Sequence, residues 1–73
     1  MNVKSIGSNQ AEIRKSNGDE VLVSYSTPVA ACIGGTYYRT EQSYSNTTSR
    51  HISKWLDGVK AEVKPQKFFD NLI

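Results

Sequence analysis

The stretch Ser43–Gly58, SYSNTTSRHISKWLDG, states where a helix starts, which face it buries and where it stops. Asn46, Thr47 or Thr48 can set a side-chain oxygen on the free N–H groups of a first turn. Gly58 closes the helix, since glycine enters the left-handed conformation without steric cost. Between these marks Ile52, Trp55, Leu56 and Val59 recur at helical spacing with His51 on the border of that face, while Ser49, Arg50, Ser53, Lys54 and Asp57 fall elsewhere. The spacing predicts an amphipathic helix over Thr48–Asp57. A helix of about a dozen residues is marginal alone in water, so the rest of the chain has to cover Trp55 and Leu56.

Upstream, Gln10–Lys15 alternates Ala11 and Ile13 with Glu12 and Arg14, the two-residue period of a half-buried strand. Asn17-Gly18 follows, and that pair accepts the positive φ angles of a type I′ hairpin turn. The return strand Glu20–Ser26 sets Val21, Val23 and Tyr25 against Leu22, Ser24 and Ser26, with the first set the better core candidate. Thr27-Pro28 predicts a bend or an edge, because proline cannot donate to a ladder. Pro28–Ile33 is short and apolar, as a strand covered on both faces would be, and Ala30 and Ala31 leave room for the helix to approach. Gly34-Gly35 then turns the chain into Thr36–Gln42, a second hairpin. Beyond Gly58, Lys60–Lys64 reads as a further short strand. Pro65 opens a segment with Phe68, Phe69, Leu72 and Ile73 on one face of a short helical turn. The expectation is one α+β domain over residues 1–73, with a small antiparallel sheet of about four strands, built as two hairpins, and one principal helix packed on it.

A chain of 73 residues, 37% hydrophobic and 10% aromatic, has enough for a single core and is too apolar for a disordered segment. No run approaches the ~20 apolar residues of a membrane span, and the amino terminus MNVKSIGSNQ has no signal-peptide core, so a cytoplasmic protein without membrane contact is expected. The lone Cys32 excludes a disulfide framework and reads as a small buried hydrophobe. The net charge is +2, and all of the excess lies from Arg39 onward, where six basic residues meet four acidic ones. That bias suits an anionic partner but falls short of the basic stripe of a dedicated nucleic-acid binder.

His51 is the sole histidine, and a histidine base needs a nucleophile and an orienting group. Ser49 and Ser53 stand two residues away on the same helix and do not face it. The plainer reading bonds one ring nitrogen to backbone or a hydroxyl and packs the ring beside Trp55. One His and one Cys give no zinc spacing, and Gly34-Gly35 is a turn and not a phosphate cradle, so neither metal nor cofactor is expected. Nucleic acid is the alternative partner: Tyr37, Tyr38 and Arg39 on a strand would stack on bases while Arg50 and Lys54 meet phosphates. Phe68 and Phe69 form either a lid over the open sheet face or an apolar patch.

From Tyr25 to Leu56 the sequence resembles a family of small uncharacterised proteins found largely in phages. Their pattern runs Tyr-x-Thr-x-Val-Ala and then Ser-x-Thr-Thr-Ser-x-His-x-x-x-Trp, carried here by Tyr25, Thr27, Val29, Ala30, Ser45, Thr47, Thr48, Ser49, His51 and Trp55. In length and layout the chain is similar to a small transcription inhibitor and antiterminator from a lytic phage of plant-pathogenic bacteria. The resemblance implies a monomer in the host cytoplasm that binds bacterial RNA polymerase, hinders host initiation and promotes antitermination by occupation, without catalysis. A small single-stranded nucleic-acid-binding module is the alternative, and nucleic acid a secondary contact in the first case. Interface anchors are most often aromatic or Arg, so the contact surface is expected among Tyr37, Arg39, Arg50 and Lys54, with Phe68 and Phe69 as a second patch.

Overall fold

Residues 2–7 and 9–72 are described by a computed structural model, in which six strands and two helices follow one another. They are β1 (Asn2–Gly7), β2 (Gln10–Arg14), β3 (Glu20–Ser24), β4 (Thr27–Ile33), β5 (Thr36–Thr40), α1 (Asn46–Leu56), β6 (Glu62–Lys64) and α2 (Gln66–Asp70). The six strands form one sheet in sequence order. β1 to β5 are an antiparallel meander, and β6 pairs parallel to β5.

This corrects the expected sheet of about four antiparallel strands: it has six and is mixed. β1 is a strand that no alternation announces, because Val3 faces solvent (67% exposed) and the strand holds its place through the backbone ladder to β2. β6 is parallel because the chain leaves β5, travels along α1 on one face of the sheet and re-enters in the same direction, as parallel neighbours require.

Both faces of the two central strands are covered. Leu22, Val29 and Ala30 meet Ile52 and Leu56 of α1, with Tyr37, Trp55 and Ala61 at the margin. On the opposite face Ile13, Val21 and Ala31 meet Phe69 of α2, flanked by Val23, Ile33, Tyr38, Phe68 and Leu72. The preference for the Val21 set over the Leu22 set therefore fails: α2 needs one and α1 needs the other. The double coverage expected for β4 is present, with Val29, Ala30 and Ala31 fully buried. Each large apolar side chain buried this way contributes about 1.5–3 kcal/mol. Ile73 lies outside the described residues.

The connections have their own chemistry. Gly34 and Gly35 take φ +58 and +84, the signs of a two-residue type I′ turn between the paired Ile33 and Thr36. At Asn17-Gly18 the expected type I′ turn is replaced by a longer one, in which only Gly18 is left-handed, its N–H donates to Lys15 O, and Lys15 N–H donates to Asp19 O. Pro28 sits beside a register shift between β3 and β4 and not at a bend, which spares the ladder an amide it cannot have.

α1 is longer at its start than the sequence suggested. Its N-cap is Ser45, whose Oγ accepts from Thr48 N–H at 3.2 Å. At the other end Asp57 and Gly58 both turn left-handed, and Val59, expected on the buried face, is exposed because the helix has ended before it. α2 is stapled through Gln66: Nε2 donates to Pro28 O at 2.6 Å and Oε1 accepts from Thr40 Oγ1 at 2.9 Å.

Candidate functional site

The start of α1 lies over the end of β3, and there three polar side chains are buried together: Ser24, Thr48 and His51. Ser24 Oγ lies 2.8 Å from His51 Nδ1 and 3.1 Å from Thr48 Oγ1, and Ser45 Oγ donates to Thr48 Oγ1 at 3.3 Å. If each hydroxyl donates once, Ser45 gives to Thr48, Thr48 to Ser24 and Ser24 to Nδ1, which assigns the ring proton to Nε2. A hydroxyl partner for His51 was expected. The aromatic neighbour was not: the ring packs near Tyr25, 6.1 Å between centroids, while Trp55 packs edge-on against Tyr37 at 5.8 Å.

Ser24 escaped the sequence reading, which weighed only serines on the histidine's own helix. A serine within hydrogen-bond reach of imidazole is half of a nucleophilic pair. Here Ser24 is 2% exposed, its Oγ is shared between two partners, and among the described residues no carboxylate orients the ring. The arrangement ties helix to sheet and offers no open nucleophile. Nor do the described residues gather three His, Cys, Asp or Glu side chains in one place.

Beside this network opens a pocket of about 280 Å³ whose walls are Ser24, Tyr25, Thr27, Val29, Tyr44, Ser45 and Thr48. The β3–β4 turn supplies one side and the loop before α1 the other. None of these residues carries a charge. Tyr25 (54% exposed) and Tyr44 (46% exposed) stand at its rim. Tyr25 is the first of the two residues joining Ser24 to Thr27 and holds φ +59, a conformation that Asn or Gly accepts and a bulky side chain resists. Such a residue costs of order 1–3 kcal/mol and persists only where its surroundings hold it. Here its N–H donates to Asn9 O at 2.6 Å.

The residues expected at the partner surface are divided by the sheet. Arg50 and Lys54 stand exposed on the outer side of α1, one turn apart. Arg39 is half-buried on β5, and Tyr37 is half-buried against Trp55. Among the described residues the ion pairs are those of Arg14 with Glu12 and Glu20, so Arg39, Arg50 and Lys54 keep their charge unpaired. Phe68 and Phe69 lie on the other face. Phe69 is fully buried and serves as core, and Phe68 is half-buried against Tyr38 and beneath Lys64 Nζ, 5.8 Å from its ring. Cys32, expected to be buried, is only partly so.

A second polar cluster braces the far end of α1. Trp55 Nε1 donates to Glu12 Oε2 at 3.2 Å, and Arg14 reaches Glu20 at 3.1 Å. A hydrogen bond shared with Glu20, then burial, holds the Glu12 carboxyl above its ordinary range, while the same bond holds Glu20 below it. The charge of the neighbouring Cys32 thiol, followed by a hydrogen bond to it, raises the Tyr37 phenol.

The chain belongs to DUF8033, a family of unknown function whose pattern matches residues 1–71. No curated protein and no solved structure matches it. No helix among the described residues is long and apolar enough to cross a membrane.

Proposed function

We propose that this member of a family of unknown function is a phage-type regulator that acts by occupation: it docks on bacterial RNA polymerase in the host cytoplasm, inhibits initiation and promotes antitermination without catalysis. The observation that carries a docking role is the α1 side of the molecule, where Arg50 and Lys54 are exposed and unpaired and two tyrosines rim an uncharged pocket. Aromatic and arginine side chains are the usual anchors of protein interfaces. The only serine bonded to imidazole is sealed inside, which favours binding over chemistry. The choice of polymerase rests on the resemblance from Tyr25 to Leu56.

The nucleic-acid reading is weaker. A stacking platform needs open ring faces, whereas Tyr37 is packed on Trp55 and Tyr38 on Phe68. A pull-down from bacterial lysate separates the two. Polymerase subunits are expected to be recovered, and to the same extent after nuclease treatment. Loss of the partners on nuclease treatment, with affinity for nucleic acid that falls steeply with salt, would establish the other reading.

A further inference from the structure

We infer that the pocket between the β3–β4 turn and the start of α1 is an anchor site that receives one neutral apolar or aromatic side chain, projected from an acidic surface of the protein partner; this rests on the docking role proposed above. Four observations converge on it. The pocket of about 280 Å³ is below the ~300–1,000 Å³ of sites for drug-sized ligands and suits a single large side chain. Its walls hold hydroxyls and rings but no charge, and the hydroxyls of Ser24, Ser45 and Thr48 are already bonded to one another. A charged group entering there would lose water without gaining a counter-ion.

The charge outside the pocket gives the partner's sign. Arg50 follows Asn46 by four residues and so shares a face with the first turn of α1. Lys54 continues that stripe, and neither has an acidic partner among the described residues. The first turn of α1 carries no acidic residue either. An acidic surface meets this stripe as its neutral side chain fills the pocket.

The last observation is Tyr25. Asn9 and Asp57 also hold positive φ, but their side chains tolerate it, and Tyr25 alone pairs a large ring with a left-handed backbone. The turn would be relaxed with glycine there. A ring kept at the pocket rim against that cost is explained if it closes over an inserted side chain.

Tyr25→Gly and Tyr44→Ala test this, with thermal melting as the check on folding. The first relieves the backbone, and the second alters a loop side chain that makes no hydrogen bond among the described residues. Affinity for purified bacterial RNA polymerase is expected to fall at least about tenfold in each, with melting temperatures at or above the parent's for Tyr25→Gly and unchanged for Tyr44→Ala. In parallel, N-acetyltryptophanamide is titrated into the labelled parent. Amide shifts are expected at Val29, Ser45 and Thr48, lost in Tyr25→Gly, and absent with the anionic N-acetyltryptophan. Polymerase bound by the parent and both variants alike would overturn the anchor site while leaving the docking role standing. Failure of the parent to bind polymerase, with the neutral probe still seated in the pocket, would remove polymerase and keep the site. Probe shifts absent from the pocket would overturn the site outright.

Discussion

The two faces of the sheet are covered by helices of different kinds, and the difference separates what holds the molecule together from what it presents. α2 has five residues and seals its face with Phe69, fully buried over Ile13, Val21 and Ala31. α1 is eleven residues long and seats Ile52 and Leu56 on Leu22 and Ala30. Unlike α2, it keeps buried hydroxyls, a histidine, an open pocket and two exposed cations at its own border. A short helix capped by one large side chain is an economical cover. A helix fixed at both ends by polar bonds, Ser24 to His51 at one and Glu12 to Trp55 at the other, is held in one position with its outer face free.

The largest expected effect lies on the α2 face. Phe69→Ala should cost about 3–5 kcal/mol, since the side chain is wholly buried and a five-residue helix cannot close the cavity. Leu56→Ala on the α1 face should cost about 2–5 kcal/mol by the same mechanism. Denaturant midpoints measure both, and an unchanged midpoint in either would mean that face is not packed as described.

Ser24→Ala sharpens the comparison at the next level. It removes a donor to His51 Nδ1 and a partner for Thr48 in a buried setting, at an expected cost of about 1–3 kcal/mol. Ser45→Ala removes the N-cap, at about 1 kcal/mol. Amide hydrogen exchange should show the loss of protection confined to the first turns of α1 in Ser45→Ala, with α2 unaffected.

Much of this division is legible in the chain, and the rest is hidden for identifiable reasons. Ile52, Leu56 and Gly58 mark α1 because a helix against a sheet must repeat its apolar face. Gly34-Gly35 marks a turn because few residues accept both angles. β1 is hidden because an outer strand with Val3 in solvent needs no alternation. Ser24 is hidden because its partner is Thr48, on a different element, and nothing local marks a serine that will meet a histidine across the core. Tyr25 reads as a strand residue by its alternation with Ser24. Only the two-residue connection from Ser24 to Thr27 turns it to the pocket rim.

The smallest effect is a pH dependence at the far end of α1. Glu12 titrates above the ordinary glutamate value of 4.5 in the folded chain, so the fold holds its proton more tightly than the unfolded chain does. Stability is therefore lost as pH rises from that value through the folded value of Glu12. Glu20, held below 4.5, acts oppositely, and its contribution grows as pH rises towards 4.5. Glu12→Gln keeps an acceptor for Trp55 Nε1 and should abolish the decline on the alkaline side of 4.5 while leaving the rise on the acid side. Denaturant midpoints measured across that range read the difference.

The claim that the α1 side docks and the α2 side supports is tested most directly by the rate at which the protein associates with purified bacterial RNA polymerase. The comparison sets Arg50→Ala with Lys54→Ala, the exposed pair on α1, against Lys67→Ala, an exposed cation on α2. All three positions are on the surface, so melting should not move. The expected result is slower association and a weaker salt dependence for the α1 pair, with Lys67→Ala matching the parent. Association unchanged in the α1 pair, or slowed as much by Lys67→Ala, would contradict it.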